Sequence, residues 1–129
     1  VIVLDSIGEL RAAYPLAQIV FVGGSLIPHG GQSIFEPAAA GKAIVTGPYT
    51  ANFEAAVTEF LSKEALIQLP IVGDDDVIPA LTDAFRNILN NNDHRLTLGS
   101  NALAVMKSNR GAVDQTLEHI RHLLAAPGK

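Results

Sequence analysis

The chain of 129 residues has no cysteine and no tryptophan, and only 5% of its residues are aromatic. The absence of cysteine excludes a disulfide framework, a thiolate metal site and a cysteine nucleophile. The scarcity of aromatic side chains argues against a platform for stacking nucleic-acid bases. A formal net charge of −4 also has the wrong sign for a general nucleic-acid binder. We therefore expect no nucleic-acid partner.

Long hydrophobic segments are missing as well. No charged residue occurs between Arg11 and Glu36, but prolines and glycines interrupt that stretch, so it is not expected to span a membrane. The sequence opens at Val1 inside an apolar run, with no recognisable signal peptide. We expect one domain, residues 1–129, that is a partial domain truncated at its N-terminus.

What the sequence does contain is an alternation of short apolar runs with helical patterns. Such an alternation predicts an α/β fold with a parallel sheet covered on both faces. The expected strands are 1–4, 18–22, 43–46 and 66–69. The expected helices are about 6–13, 33–40, 51–62, 74–89, 93–107 and 110–124, the last two forming a helical tail from about residue 93.

Two capping boxes mark predicted helix starts, Ser6 with Glu9 and Ser33 with Glu36. Glu36 has a second interpretation, because an acidic residue one turn below a bound phosphate can accept hydrogen bonds from a ribose diol. Spacing alone leaves both roles open. Gly41 is placed to end the second helix as a C′ glycine.

The loop after the second predicted strand is rich in glycine, at positions 23, 24, 30 and 31. Glycines allow the backbone to approach a ligand closely, and the N–H groups at a helix start can hold a phosphate. The loop lacks the Lys-Ser or Lys-Thr pair of a Walker motif and the spacing of the dinucleotide fingerprint. His29 in this loop has two interpretations, a general acid–base or phosphate contact and, more commonly for a lone loop histidine, a plain polar residue. No histidine has the spacing of a metal site.

Several motifs together give a resemblance to a known family: GELRAAY, FVGGS, GG-x-x-x-x-EPA, GP-x-T-x-NF and NRGA. Over residues 8–120 the chain resembles the C-terminal CMP-Kdo-binding domain of the 3-deoxy-D-manno-octulosonic acid (Kdo) transferases. The resemblance implies a Rossmann-like three-layer domain, the C-terminal half of a GT-B glycosyltransferase. It also implies an inverting reaction without metal or cofactor, with CMP-Kdo as donor and lipid A precursor as acceptor, at the cytoplasmic face of the inner membrane.

By motif match, the resemblance assigns donor binding to Ile7, Gly8, Glu9, Gly23, Gly24, Ser25, Gly30, Gly31, Gln32, Ser33 and Glu36. Ser33 stands where the family usually carries Asn. The family's general base lies in the N-terminal domain, so no residue here is expected to be catalytic, and the chain alone is expected to be inactive. The alternatives are a GT-B transferase that uses a UDP-sugar and a non-catalytic nucleotide-binding module.

A further expectation concerns the order of the strands. If the common order 3-2-1-4-5-6 applies, residues 1–4 form strand three and do not neighbour residues 18–22. We therefore expect residues 1–4 to be detached from the other strands, or the gap between them to be filled by another chain.

Overall fold

A three-stranded parallel sheet lies at the centre of the computed structural model, which describes residues 1–5 and 8–125. Its strands are β1 (Ile19–Val22), β2 (Ala43–Thr46) and β3 (Ile67–Gln68), in the order β1-β2-β3. All three fall within predicted apolar runs, where β-branched side chains favour extended backbone. The parallel register places Val22 beside Thr46, so the polar ends of β1 and β2 meet at one edge of the sheet.

Helices connect and follow the strands. They are α1 (Leu10–Ala13) with a 3₁₀ turn (Tyr14–Leu16), α2 (Phe35–Ala39), α3 (Glu54–Ser62) after a 3₁₀ turn (Ala51–Phe53), α4 (Asp74–Asn90) and α5 (Asn92–Ala125). The two helices expected over 93–107 and 110–124 form one continuous helix. A single glycine such as Gly111 costs a helix interior only about 1 kcal/mol, too little to end it. Within the described residues, no helix is long and apolar enough to cross a membrane.

The sheet separates two apolar clusters, one on each face. Alternate residues of a strand point to opposite faces, so Val20, Val22 and Ile44 share one face with Ile34 and Ala38 from the region of α2 and with Val57 and Phe60 of α3. Ile19, Phe21, Ala43 and Val45 share the other face with Leu81, Phe85 and Ile88 of α4. The predicted three-layer α/β fold is thus confirmed.

Helix α5 joins these layers at the amino end of the sheet. Leu98 packs in the cluster beside α4, and Ala102 packs in the cluster beside α2 and α3. Between them, Gly99 lies so close to Gly41 that a β-carbon on it would overlap the Gly41 carbonyl. The close crossing anchors the first half of α5 against the start of β2.

The end of α2 follows the prediction. Gly41 has φ +66°, and its N–H donates to the Ala38 carbonyl at 2.9 Å. The N–H of Lys42 donates to the Pro37 carbonyl at 3.1 Å, which completes a Schellman motif. Gly41 is therefore the C′ residue, as expected.

Residues 1–4 do not form the expected strand. Val1 and Ile2 are fully exposed and Leu4 is 47% exposed, and no residue among the described ones pairs with them in a sheet. A short apolar run gains its backbone hydrogen bonds only from a neighbouring strand, and none lies beside it here. The strand prediction is wrong for this segment, whereas its predicted detachment from the other strands is confirmed.

The capping box predicted for α2 is only half present. Ser33 Oγ accepts a bond of 3.4 Å from the N–H of Phe35, as an N-cap serine does, although the helix itself begins one residue later, with Ile34 as its N-cap. No bond from the Ser33 N–H to the Glu36 carboxylate occurs among the described residues, so the Glu36 half of the prediction is wrong. For α1, Glu9 is the N-cap, and the predicted partner Ser6 lies outside the described residues.

Candidate functional site

The loop after β1 is closed by its two glycine pairs. The N–H of Gly31 donates to the Gly24 carbonyl at 2.9 Å, which brings the two ends of the loop together. Both residues need positive φ, +68° at Gly24 and +75° at Gly31. A β-carbon on Gly31 would lie 3.3 Å from the Tyr49 carbonyl oxygen, so this turn packs tightly against the loop after β2.

Ser25 has a structural role that the motif match did not anticipate. It is fully buried, and its Oγ donates to the Val22 carbonyl at 2.6 Å. The same Oγ accepts a bond of 2.8 Å from the N–H of Gly47. Its hydroxyl therefore joins the ends of β1 and β2, and the expected place of Ser25 in the donor-binding site stays a prediction.

Gly30 also lies toward the loop after β2. Its carbonyl accepts a bond of 3.0 Å from the N–H of Asn52, and its φ is +89°. A β-carbon there would overlap the side-chain amide of Asn52. The loops after β1 and β2 thus meet at one edge of the sheet, as predicted for parallel strands.

On one side of this junction lies a cleft of about 340 Å³, which we call the Glu36 cleft. It is lined by Leu10, Tyr14, Val20, Phe21, Val22, Gly23, Gln32, Ser33 and Glu36. The structure thus brings together four of the predicted donor-binding residues: Gly23, Gln32, Ser33 and Glu36. It adds Leu10 and Tyr14, which the sequence analysis missed, although their spacing of four residues places them on one face of a helix.

The polar groups of the Glu36 cleft have few partners within the chain. Among the described residues, no hydrogen bond engages the backbone N–H groups of Gln32 and Ser33 or the Glu36 carboxylate. The Tyr14 hydroxyl is likewise without a partner in the described part of the chain. Since α2 has only five residues, the N–H groups themselves matter more here than a helix dipole. The cleft offers N–H donors to an anion and a carboxylate to hydroxyl groups.

Tyr14 and Glu36 are close enough to interact electrostatically. Burial of the ring raises the pKa of Tyr14 above its ordinary value of 10.0, and the negative charge of Glu36 raises it further. The phenol is therefore protonated at neutral pH and can donate a hydrogen bond.

On the other side of the junction lies a second cleft of about 430 Å³, which we call the Gln68 cleft. It is lined by Pro28, Gly30, Pro48, Tyr49, Thr50, Ala51, Glu54, Val57, Thr58 and Gln68. Here the side-chain amide of Gln68 donates to Thr50 Oγ1 at 3.0 Å and lies 3.4 Å from the Pro48 carbonyl oxygen. Its central polar groups hold the loop after β2 in place.

Among the described residues, Gly8, Glu9, Gly24, Ser25 and Gly31 lie outside the lining of both clefts, and Gly30 lines the Gln68 cleft. Gly8 and Glu9 are exposed at the start of α1, directly before Leu10, and Ile7 lies outside the described residues. His29 is exposed in its loop. Residues 1–5 and 8–125 contain no group of three or more His, Cys, Asp or Glu side chains that could hold a metal ion.

Comparison with known proteins gives clear relatives, although no protein-family model matches the chain. It is 34% identical over 124 residues to the 3-deoxy-D-manno-octulosonic acid transferase of Haemophilus influenzae, a match that covers 96% of this chain. It is 31% identical over 120 residues to the enzyme of the same name from Bordetella pertussis, covering 93% of this chain. The chain is related to the Kdo transferases.

A solved structure shows which part of these enzymes the chain matches. The C-terminal CMP-Kdo binding domain of WaaA from Acinetobacter baumannii superposes with a TM-score of 0.69 at 34% identity, covering 80% of this chain and 51% of that one. The chain spans only 28% and 27% of the two Kdo transferases. The resemblance inferred from the motifs is therefore confirmed, and it concerns the donor-binding domain.

Proposed function

We propose that this chain is the donor-binding part of a Kdo transferase, which transfers Kdo from CMP-Kdo to lipid A precursor in lipopolysaccharide biosynthesis. The observation that carries the proposal is its likeness, at 34% identity, to a solved CMP-Kdo binding domain. The Glu36 cleft supports it, because its unengaged groups suit a nucleotide: N–H donors for a phosphate and a carboxylate for a diol.

In this proposal the nucleotide lies in the Glu36 cleft with its phosphate at the N–H groups of Gln32 and Ser33. Glu36 accepts hydrogen bonds from the ribose, because a carboxylate at that end would repel the phosphate. Gly23 leaves room for the ligand, since nothing lies within 4 Å of where its β-carbon would be.

The chemistry we propose is a direct displacement with inversion. An acceptor hydroxyl attacks the anomeric carbon of Kdo while the bond from that carbon to the phosphate oxygen breaks, and CMP leaves. The N–H groups stabilise the charge that develops on the leaving phosphate, so this step needs no metal ion. The base that takes the acceptor proton, and the acceptor groove, belong to parts of the enzyme outside this chain.

The chain alone binds the donor but does not transfer Kdo, because it supplies neither base nor acceptor groove. The whole enzyme works at the cytoplasmic face of the inner membrane, where a lipid acceptor and a water-soluble sugar nucleotide can meet.

Calorimetric titration of the chain with CMP and with UMP tests the proposal. We expect CMP to bind and UMP to bind at least tenfold more weakly, about 1.4 kcal/mol in binding free energy. A preference for UMP would favour a transferase of UDP-sugars. Absence of binding by either nucleotide would contradict a donor-binding role.

A blocking variant links that binding to the Glu36 cleft. Gly23→Leu introduces a side chain into the cleft without a clash at its β-carbon and without positive φ. It is a cleaner choice than Gly24→Leu, because Gly24 has φ +68°. We expect Gly23→Leu to abolish CMP binding, whereas Gly73→Leu, at an exposed glycine outside the cleft lining, should leave it unchanged. Unchanged affinity in Gly23→Leu would place the nucleotide elsewhere.

A further inference from the structure

We propose that Tyr14 is a specificity-determining residue of the donor site, whose hydroxyl binds one hydroxyl of the nucleotide's ribose beside the Glu36 carboxylate. The inference rests on the proposed function and deepens it. It makes the Glu36 cleft a site that selects ribonucleotides over deoxyribonucleotides.

The position of Tyr14 in the wall of the cleft is fixed by the fold. Tyr14 begins the 3₁₀ turn that follows α1, and its backbone carbonyl accepts the N–H of Ala17 at 3.0 Å. The next carbonyl, of Pro15, accepts a bond of 2.8 Å from Lys42 Nζ. Lys42 therefore ties the turn to the segment between α2 and β2, so the half-buried ring is held in the cleft wall.

The pairing of a phenol with a carboxylate suits a diol. Each ribose hydroxyl can both donate and accept, so one can donate to the Glu36 carboxylate while its neighbour accepts from the Tyr14 hydroxyl. A phosphate does not suit this end of the cleft, because the Glu36 charge repels it. The phosphate instead fits the N–H groups of Gln32 and Ser33.

The order of groups along a nucleotide places the ribose at Tyr14 rather than the base. Glu36 follows Gln32 and Ser33 by one helical turn, and the ribose is the group bonded directly to the phosphate. Cytosine also carries a donor beside an acceptor, but it lies one group further from the phosphate. Recognition of the base by Tyr14 is therefore the competing outcome of the test.

The experiment compares binding of CMP, 2′-deoxy-CMP, 3′-deoxy-CMP and UMP to the wild-type chain and to Tyr14→Phe. Removal of one neutral hydrogen bond should weaken CMP binding about fivefold. The wild type should bind one of the two deoxy nucleotides about fivefold more weakly than it binds CMP. Tyr14→Phe should bind that deoxy nucleotide as tightly as the wild type does. Tyr49→Phe is the matched control: it alters the other tyrosine, which lines the Gln68 cleft, and should leave all four affinities unchanged.

Three results would overturn the inference. Equal CMP affinity in wild type and Tyr14→Phe would show that the phenol makes no ligand contact. If Tyr14→Phe changed the ratio of CMP to UMP affinity but left the affinities of both deoxy nucleotides relative to CMP unchanged, the phenol would recognise the base and not the ribose. No CMP binding by the wild type would contradict the proposed function itself, which distinguishes that failure from failure of this inference alone.

Discussion

The two clefts beside the glycine turn differ in how the side chains of Gln68 and Glu36 are used. In the Gln68 cleft, the Gln68 amide bonds to the loop after β2, and the N–H of Asn52 bonds to Gly30. In the Glu36 cleft, the Glu36 carboxylate and the N–H groups of Gln32 and Ser33 have no hydrogen-bond partner among the described residues.

This difference separates support from binding. A polar group that is already hydrogen-bonded within the fold stabilises it, and a ligand must compete for it. An unengaged group in a cleft costs little while water reaches it and gains a partner when a ligand enters. Substitution of groups that are hydrogen-bonded or tightly packed within the fold should therefore reduce the free energy of unfolding. Substitution of the unengaged groups in the Glu36 cleft should reduce the affinity for the nucleotide.

The largest effect is expected from Gly47→Ala, where the loop after β2 packs against the backbone of Ser25. A β-carbon at Gly47 would overlap the backbone of Ser25 and Leu26, and backbone cannot rotate away as a side chain can. We expect a loss of about 3 kcal/mol in the free energy of unfolding, measured by urea denaturation. Gly23→Ala, with nothing within 4 Å, is the control and should change stability by less than about 0.5 kcal/mol. Similar stabilities of the two variants would contradict the tight junction.

A pair of serines in the same loop gives the next effect. Ser25→Ala leaves the buried N–H of Gly47 without its acceptor, which should cost about 2 kcal/mol of unfolding free energy. Ser33→Ala removes only a bond of 3.4 Å at the cleft and should cost less than about 1 kcal/mol, and it should change CMP affinity little because alanine keeps the backbone N–H. Urea denaturation of both variants measures the difference in unfolding free energy, and titration with CMP measures their affinities. A larger loss of stability in Ser33→Ala than in Ser25→Ala would reverse the assignment of roles.

Glu36→Gln should act on affinity alone. Loss of the carboxylate should weaken CMP binding about tenfold, because hydrogen bonds to charged groups contribute about 1.5–3 kcal/mol. Since Glu36 makes no hydrogen bond to the Ser33 N–H among the described residues, stability should change by less than about 0.5 kcal/mol. A loss of stability with unchanged affinity would restore the capping role that the sequence suggested.

The smallest effect concerns pH. The pKa of Tyr14 is raised in the folded chain from 10.0, so the protonated phenol contributes stability that is present below pH 10.0 and lost as pH rises through the folded-state pKa. Unfolding free energies of wild type and Tyr14→Phe should thus keep a constant difference up to that pH, and the wild type should lose more above it. In a Tyr49→Phe background, ultraviolet titration should show a lower Tyr14 pKa after Glu36→Gln. An unchanged pKa would contradict the electrostatic interaction between the two side chains.

Much of this arrangement could be predicted from sequence. Local patterns located all three strands, because each is a short apolar run between turns, and Gly41 marked the end of α2. The glycine loop and Glu36 pointed to the edge of the sheet where the Glu36 cleft lies. These features depend on neighbours in the chain, which the sequence shows directly.

Contacts between distant residues could not be predicted. The buried hydroxyl of Ser25 bonds to Gly47, twenty-two positions later, and a motif match does not reveal that structural role. Residues 1–4 have the composition of a strand, but strand formation requires a neighbour. Tyr14 was missed because its place in the cleft depends on how the turn after α1 packs near α2.

The most direct test of the division between the two clefts is the backbone amide NMR spectrum of the chain during titration with CMP. We expect the signals of Gly23, Gln32, Ser33 and Glu36 to shift with a common saturation curve, while those of Thr58 and Gln68 remain in place. Shifts confined to Thr58, Gln68 and their neighbours would place the nucleotide in the Gln68 cleft and contradict the assignment of the donor site.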